Sequence, residues 1–397
     1  MNILLLCNKS PFPPKEGGPM AMHAILTGLI DAGHQVKVLT FSTNKFPASE
    51  IPETLKNDFE TVAINLKINP LRAFFNLFSK KSLHVVRFIK KEMTQKLVAL
   101  LSAETFDVVQ LESVFMASYI EVIRKNSNAK IILRAHNVES LIWDRMRLQH
   151  KNPVKKRYIK LLGRRLKKYE MGVLSRVDGI VPISKVDMEY FAGFGCRTPM
   201  ISIPFSINTE KFQDMTFGTP EPVSFFHIGS MDWMPNQEGI RWFLEFVWNK
   251  IHRQNPHATF YLAGRNMPDW LRRLQQPGVV VVGEVGDAHE FIRSKTVLVV
   301  PLLSGSGIRI KIIEGMACVR PVLTTSIGAE GIEYTDTENV MIADTPDAFI
   351  EKAQRLIDSS ALCEEIGKAA HHLIMNRYDT KKIIAELTNF YQSCITK

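Results

Sequence analysis

The stretch VLVVPLLSGSGIRIKIIEGMACVRPVLTT, Val297 to Thr325, decides the fold. Val297–Leu302 is an apolar run that reads as a buried strand, Ser304–Gly307 as a glycine-rich turn, Ile308–Cys318 as a helix and Pro321–Thr325 as a second strand. Gly305, Ser306 and Gly307 stand where the helix begins, so backbone N–H groups can face an anion at the positive end of the helix dipole. Arg309 and Lys311 follow in the first helical turn. The dipole disfavours cations there unless an anion offsets them, so their placement points to a ligand such as a phosphate. Glu314 lies further along, near the face shared by Ile310 and Lys311, where it can accept hydrogen bonds from ligand hydroxyls. The other reading is a strand–helix–strand unit whose glycines only permit tight packing and whose charges are solvated.

Working outward, a chain of 397 residues with 45% hydrophobic content exceeds what one core usually holds, so two domains are expected. No run of eighteen apolar residues occurs, and MNILLLCNKSPFPP at the start reads as a strand and a proline-rich loop rather than a signal peptide, which sets the expectation of a cytoplasmic protein. Cys7, Cys196, Cys318, Cys363 and Cys394 are scattered and form no CxxC pair, as befits reduced structural thiols. The net charge of +10 is uneven: residues 1–200 carry +14 and residues 201–397 carry −4. An anionic partner is therefore expected for the first half alone.

Taken in order, Ile3–Cys7 reads as a first parallel strand. A loop with Pro11, Pro13 and Pro14 follows, and Gly17 and Gly18 turn it into a helix over Pro19–Ala32. Val36–Thr40, Thr61–Asn65, Val108–Glu112, Lys130–His136, Gly179–Ser184 and Met200–Phe205 are further strands. The diglycine sits at the C-terminal end of the first strand, where open α/β sheets bind ligands, or is a tight turn with no ligand. Two intervening segments are basic and amphipathic. Leu71–Leu101 sets Phe74, Phe75, Phe78, Val85 and Phe88 beside Lys80, Lys81, Arg87, Lys90 and Lys91. Lys151–Lys168 has nine Lys+Arg in eighteen residues and no acid. Such helices lie on anionic membranes or form solvated faces; no nucleic-acid-binding module is present. After a polar linker, Ser206–Pro222, a second series begins: strands at Ser224–Gly229, Thr259–Gly264, Val279–Gly283, Val297–Leu302, Pro321–Thr325 and Asn339–Ala343, with helices starting near Asn236, Pro268, Asp287, Ile308 and Pro346. A last helix, Thr380–Ser393, has an apolar side suited to packing back on the first domain.

The segments HIGSMDWMPNQEGIRWF (His227–Phe243), YLAGRNMP (Tyr261–Pro268), VVGEVGDAHEFI (Val281–Ile292), PLLSGSGIRIKIIEGMACVRPVLTTSIGAEGI (Pro301–Ile332) and LRAHNVES (Leu133–Ser140), with the Gly17–Gly18 loop, resemble the retaining GT-B glycosyltransferases of family 4. The resemblance covers nearly the whole chain. It implies two Rossmann-like α/β domains facing a cleft: residues 1–205 completed by a crossover helix in 378–397, and residues 206–377. In that pattern Arg309 and Lys311 fill the basic positions of G-x-G-x-R-x-K and neutralise the leaving diphosphate, while Glu314 takes the donor ribose. Gly305, Ser306, Gly307 and Ile308 supply the anion-binding turn; Gly229, Ser230 and Arg265 follow the first two strands of the domain; Gly283 and Glu284 lie beside the base. Gly17, Gly18, His136 and Asn137 fall on the acceptor side, His136 near the transferred sugar. Ser306 stands where the family's first glutamate falls, eight positions before Glu314, and only Pro204 remains of the Pro-Asn-Gly-Val-Asp signature.

The resemblance implies a nucleotide-diphosphate sugar as donor, a lipid-linked or polysaccharide acceptor, retention of configuration, no metal and no other cofactor. Together with the basic segments it sets the expectation of a peripheral protein on the inner face of the membrane. Competing readings are a GT-B epimerase or hydrolase of nucleotide-sugars and a non-catalytic sugar-nucleotide-binding subunit. A nicotinamide enzyme would need GxGxxG after a first strand, which neither half has.

Overall fold

The computed structural model describes residues 1–66, 76, 79, 82–149, 152–218, 223–305 and 307–396. The chain divides into two compact units, Met1–Ser206 with Thr380–Lys397, and Ile207–Asp379.

In the first unit, β1 (Asn2–Cys7), β2 (Gln35–Ser42), β3 (Phe59–Ala63), β4 (Val108–Glu112), β5 (Lys130–Ala135) and β6 (Gly179–Pro182) form one parallel sheet in the order β3-β2-β1-β4-β5-β6. The period-two alternation of a strand explains how apolar runs serve two layers at once. Leu4 and Leu6 of β1 join a core with Phe41, Phe88, Leu97 and Leu166. Ile3 and Leu5 join the opposite core with Ile25, Leu29, Ile132 and Leu387. Helices α1 (Gly17–Asp31), α2 (Lys91–Ala103), α3 (Ile120–Asn126), α4 (Glu139–Gln149), α5 (Pro153–Leu174) and α6 (Lys185–Ala192) complete the layers.

In the second unit, β7 (Ser224–Ile228), β8 (Thr259–Ala263), β9 (Val279–Gly283), β10 (Val297–Val300), β11 (Val322–Thr324) and β12 (Met341–Ile342) form a parallel sheet in the order β12-β11-β10-β7-β8-β9. Its helices include α7 (Met234–Phe243), α8 (Asn249–Gln254), α9 (Ala288–Arg293), α10 (Ile310–Ala317), α11 (Pro346–Asp358) and α12 (Ser360–Arg377). The terminal α13 (Thr380–Ile395) belongs to the first unit: Ile384 lies against Gly28 of α1 and Phe390 against Gly179 of β6, so a Cβ at either glycine would collide. Both sheets run 3-2-1-4-5-6 when numbered within their own unit. The order reverses between β1 and β4 and between β7 and β10, where open α/β sheets hold ligands.

Several elements differ from the sequence expectation. α1 starts at Gly17, so the diglycine forms the first turn of the helix instead of a loop before it; an added Cβ on Gly18 would overlap the Lys9 ammonium. Met200–Phe205 is not a strand: Met200 makes one isolated bridge to Ile180, and Pro199 and Pro204 lack the N–H a ladder needs. The strand Val297–Leu302 stops at Val300, before Pro301, and Asn339–Ala343 pairs with β11 only at Met341–Ile342. Leu71–Leu101 is not one amphipathic helix. Leu83–Val86 is a separate short turn from α2, and Val85 and Phe88 are buried in the core rather than turned outward. Phe74, Phe75, Phe78, Lys80 and Lys81 lie outside the described residues. In α5, Leu166, Val173 and Leu174 join the same core and Ile159 and Leu162 are buried, while Val154 and Leu161 are exposed.

Candidate active site

The second-unit site forms where β7 and β10 end side by side. Gly305 (φ 112°) and Gly307 (φ 81°) hold backbone that disfavours a side chain, and so make the turn after β10. Ser306 lies outside the described residues. The helix begins two residues later than its sequence pattern suggests. Ile308 stays outside, Arg309 is the extended residue before the first turn, and no side chain caps it. The first N–H groups of α10 therefore have no intrahelical partner and give the turn a positive end.

Arg309 is buried, donates to the Gly307 carbonyl, and its guanidinium stands over the Trp233 ring at 5.4 Å. Lys311 points back under the turn. Its Nζ lies 3.0 Å from His227 Nε2 and 3.0 Å from Asn236 Oδ1. Burial, with Arg309 adding to it, lowers Lys311 to about 7, against the weaker opposing pull of Glu314. Gly229, directly after β7, has no Cβ because Lys311 Nζ occupies that space. Ser230 donates to Asp232 and its carbonyl accepts from Asn236 Nδ2 at 2.8 Å. Arg265 is half-buried after β8, and its carbonyl accepts from Met231 N–H at 2.8 Å. Gly264 brings these two loops together: Gly264 (φ 144°) lies so close to the Gly229 carbonyl that a Cβ would overlap it. Glu314 Oε1 is 3.5 Å from His289 Nε2 on α9, and that carboxylate raises the His289 pKa. Gly283 and the exposed Glu284 end the edge strand β9, where the Gly283 carbonyl accepts from Gly264 N–H at 2.7 Å.

His136 and Asn137 lie in the first unit, directly after β5, as Gly17 and Gly18 do at the start of α1. His136 Nε2 is 2.6 Å from Glu112 Oε2, at the end of β4. A carboxylate only accepts, so Nε2 carries a proton. Glu112 also accepts from Gln110 Nε2 at 2.5 Å, and Tyr391 of α13 donates to Gln110 Oε1.

His227, Asn236, Glu112 and Gln110 were missed by motif reading. A signal was present: His227 interrupts the apolar SFFHI, and Gln110 and Glu112 alternate in VVQLE, so each is a buried polar side chain that must find a partner.

The fold is shared at full length with HepE of Anabaena, solved in complex with UDP (TM-score 0.69, 13% identity, 99% of this chain and 100% of that one). It is equally shared with sucrose-phosphate synthase of Thermosynechococcus elongatus (TM-score 0.69, 14% identity, 100% of both chains). A family model described as Glycosyltransferase Family 4 matches residues 17–211, and one described as Glycosyl transferases group 1 matches residues 222–359. The chain belongs to the GT-B glycosyltransferases. This glycosyltransferase is 22% identical, over 97% of its length and 98% of the relative's, to an uncharacterized 44.6 kDa protein in the cps region of Klebsiella pneumoniae. It is 29% identical, over 32% of its length and 33% of the relative's, to the capsular polysaccharide biosynthesis glycosyltransferase CapM of Staphylococcus aureus.

Proposed function

We propose that this glycosyltransferase moves a sugar from a nucleotide-diphosphate sugar to a lipid-linked or polysaccharide acceptor, with retention of anomeric configuration, during synthesis of a capsule or other cell-surface glycan. The observation that carries the reading is Lys311, a half-buried ammonium held at the point where the sheet order reverses, beside Arg309 and the uncapped start of α10. Two cations at the positive end of a helix repel each other and the dipole; a diphosphate relieves both. Charge that develops on the leaving oxygen then meets Lys311, Arg309 and backbone N–H groups already in place, which is the arrangement that lowers such a barrier without a metal. Glu314, steadied by His289, takes the donor ribose. The acceptor side falls to His136, Asn137, Gly17 and Gly18. The acceptor hydroxyl attacks on the face the phosphate leaves, and that phosphate takes its proton. The cps-region relative and the capsular relative support the glycan class, and HepE, solved with UDP, supports a nucleotide-diphosphate donor.

Lys311→Ala tests the assignment. Loss of one preorganised donor to a developing oxyanion costs about a hundredfold in turnover. Acceptor-dependent release of nucleoside diphosphate from a panel of nucleotide-sugars should fall by that order while the circular-dichroism melt stays unchanged. Undiminished release would sink the diphosphate site, and release without acceptor would favour a hydrolase.

A further inference from the structure

His227 is the only ionisable residue in β7 and is fully buried. Its Nδ1 lies 2.8 Å from the Val299 carbonyl on β10. A carbonyl only accepts, so Nδ1 carries the proton. Burial, reinforced by Lys311, pushes His227 well below its ordinary range, so the ring is neutral and Nε2 bears a lone pair. That lone pair faces Lys311 Nζ at 3.0 Å, and an ammonium has only donors. Asn236 is fixed by the same logic: its Nδ2 donates to the Ser230 carbonyl at 2.8 Å, which turns Oδ1 toward Lys311 Nζ at 3.0 Å. Two of the three ammonium protons are thus directed by β7 and α7, and the third is left for a ligand.

We propose that His227 is the positioning residue for Lys311, holding its ammonium through Nε2 so that the remaining N–H meets the donor diphosphate, without touching the donor itself. The proposal rests on the diphosphate reading of this site. The groups that face Lys311 are Arg309 from its own segment, which repels it, Glu314 of α10, which attracts it, and the two neutral acceptors, His227 from β7 and Asn236 from α7. Because burial already brings Lys311 down to about 7, its charge is marginal near neutrality and a neutral acceptor favours the charged form. Removing the acceptor lowers Lys311 further, so the penalty on anion binding grows as pH rises.

His227→Asn keeps a donor for Val299 and loses the acceptor for Lys311, whereas His227→Gln places an amide oxygen near Nε2. Binding of UDP and of inorganic pyrophosphate is measured by calorimetry on the full chain at pH 6 and pH 8.5, with thermal melts as the folding control. The expected result is about tenfold weaker binding in His227→Asn at pH 8.5, the order of one hydrogen bond to a charged group. A smaller loss is expected at pH 6, and most of the affinity should return in His227→Gln. A penalty equal at both pH values, or equal in both variants, gives His227 a packing role only and overturns the proposal. Failure of the unaltered protein to bind either probe instead removes the diphosphate reading, and the positioning role with it.

Discussion

At the scale of single residues, the first unit is built over a charged group that cannot lose a member cheaply. Arg134, on β5, is fully buried, and its Nε lies 3.9 Å from Glu112 Oε2, itself fully buried. Burial alone raises Glu112, but His136, Arg134 and Gln110 outweigh it and hold the carboxyl below its ordinary value. His136 goes the other way: burial, aided by Arg134 and Lys9, outweighs the pull of Glu112 and lowers it. A carboxyl lowered in the fold contributes stability above its unfolded pKa and loses that contribution as pH falls through the folded value. Glu112→Ala would leave Arg134 buried with no counter-charge, a change that costs about 3–5 kcal/mol. Denaturant titration should show a loss of that order, with a smaller one for Glu112→Gln, which retains an acceptor for His136. A change below about 1 kcal/mol in the alanine variant would mean that water or rearrangement reaches Arg134.

At the scale of elements, two glycines held at positive φ are predicted to differ because only one is crowded. Gly33 (φ 81°), after α1, has nothing near its missing Cβ, so Gly33→Ala costs only the left-handed conformation, about 1–2 kcal/mol. Gly264 (φ 144°) has the Gly229 carbonyl in that space. Gly264→Ala must therefore push the end of β8 off the end of β7, adding about 1–3 kcal/mol of overpacking and displacing the backbone over Lys311. Melting of both variants, with UDP titration of the second, checks this; equal losses in the two would refute it. α13 offers a third test. Its Ile383, Ile384, Leu387, Phe390 and Tyr391 are buried in the first unit, so ending the chain at Asp379 should uncover that core and cause dye-binding exposure of apolar surface. These elements also show what was legible beforehand. The short valine-rich runs Val108–Glu112 and Val279–Gly283 match β4 and β9 end to end, β4 buried throughout and β9 at the sheet edge, because a short β-branched run bounded by turn residues is signal enough for a strand in either place. Strand ends at prolines and the first turn of α10 were misjudged, since they depend on which N–H groups find partners. Arg309, Lys311 and Glu314 were visible because one short motif carries them. His227 was not, because 84 residues separate it from Lys311 and only the β7–β10 pairing brings them together.

At the scale of the whole molecule, charge is divided as the sequence is: +14 over residues 1–200 and −4 over residues 201–397. Among the described residues no helix is long and apolar enough to cross a membrane; a lipid-linked acceptor, as proposed, calls for a basic surface that an anionic leaflet can meet. α5 supplies one. Ile159 and Leu162 are buried and Leu166 joins the core on its inner side, and Lys155, Arg157, Lys160, Arg164 and Lys168 are exposed on the other. Val154 (77% exposed) at its start and Leu148 (66% exposed) on α4 add apolar groups beside those cations. Each cation near an anionic leaflet is worth about 1 kcal/mol at low salt, and the effect fades beyond a Debye length of about 10 Å at 0.1 M salt. Replacing Lys155, Lys160 and Lys168 with Glu reverses three exposed charges without touching the buried side of the helix. The variant should melt as the unaltered protein does yet pellet at least tenfold less with phosphatidylglycerol vesicles, and neither should pellet with phosphatidylcholine alone. Val154→Ser should weaken pelleting with little dependence on salt, because it removes apolar contact rather than charge. Equal pelleting of the charge-reversed and unaltered proteins would leave the basic face of α5 as a solvated surface, and the acceptor would then have to be sought away from the membrane.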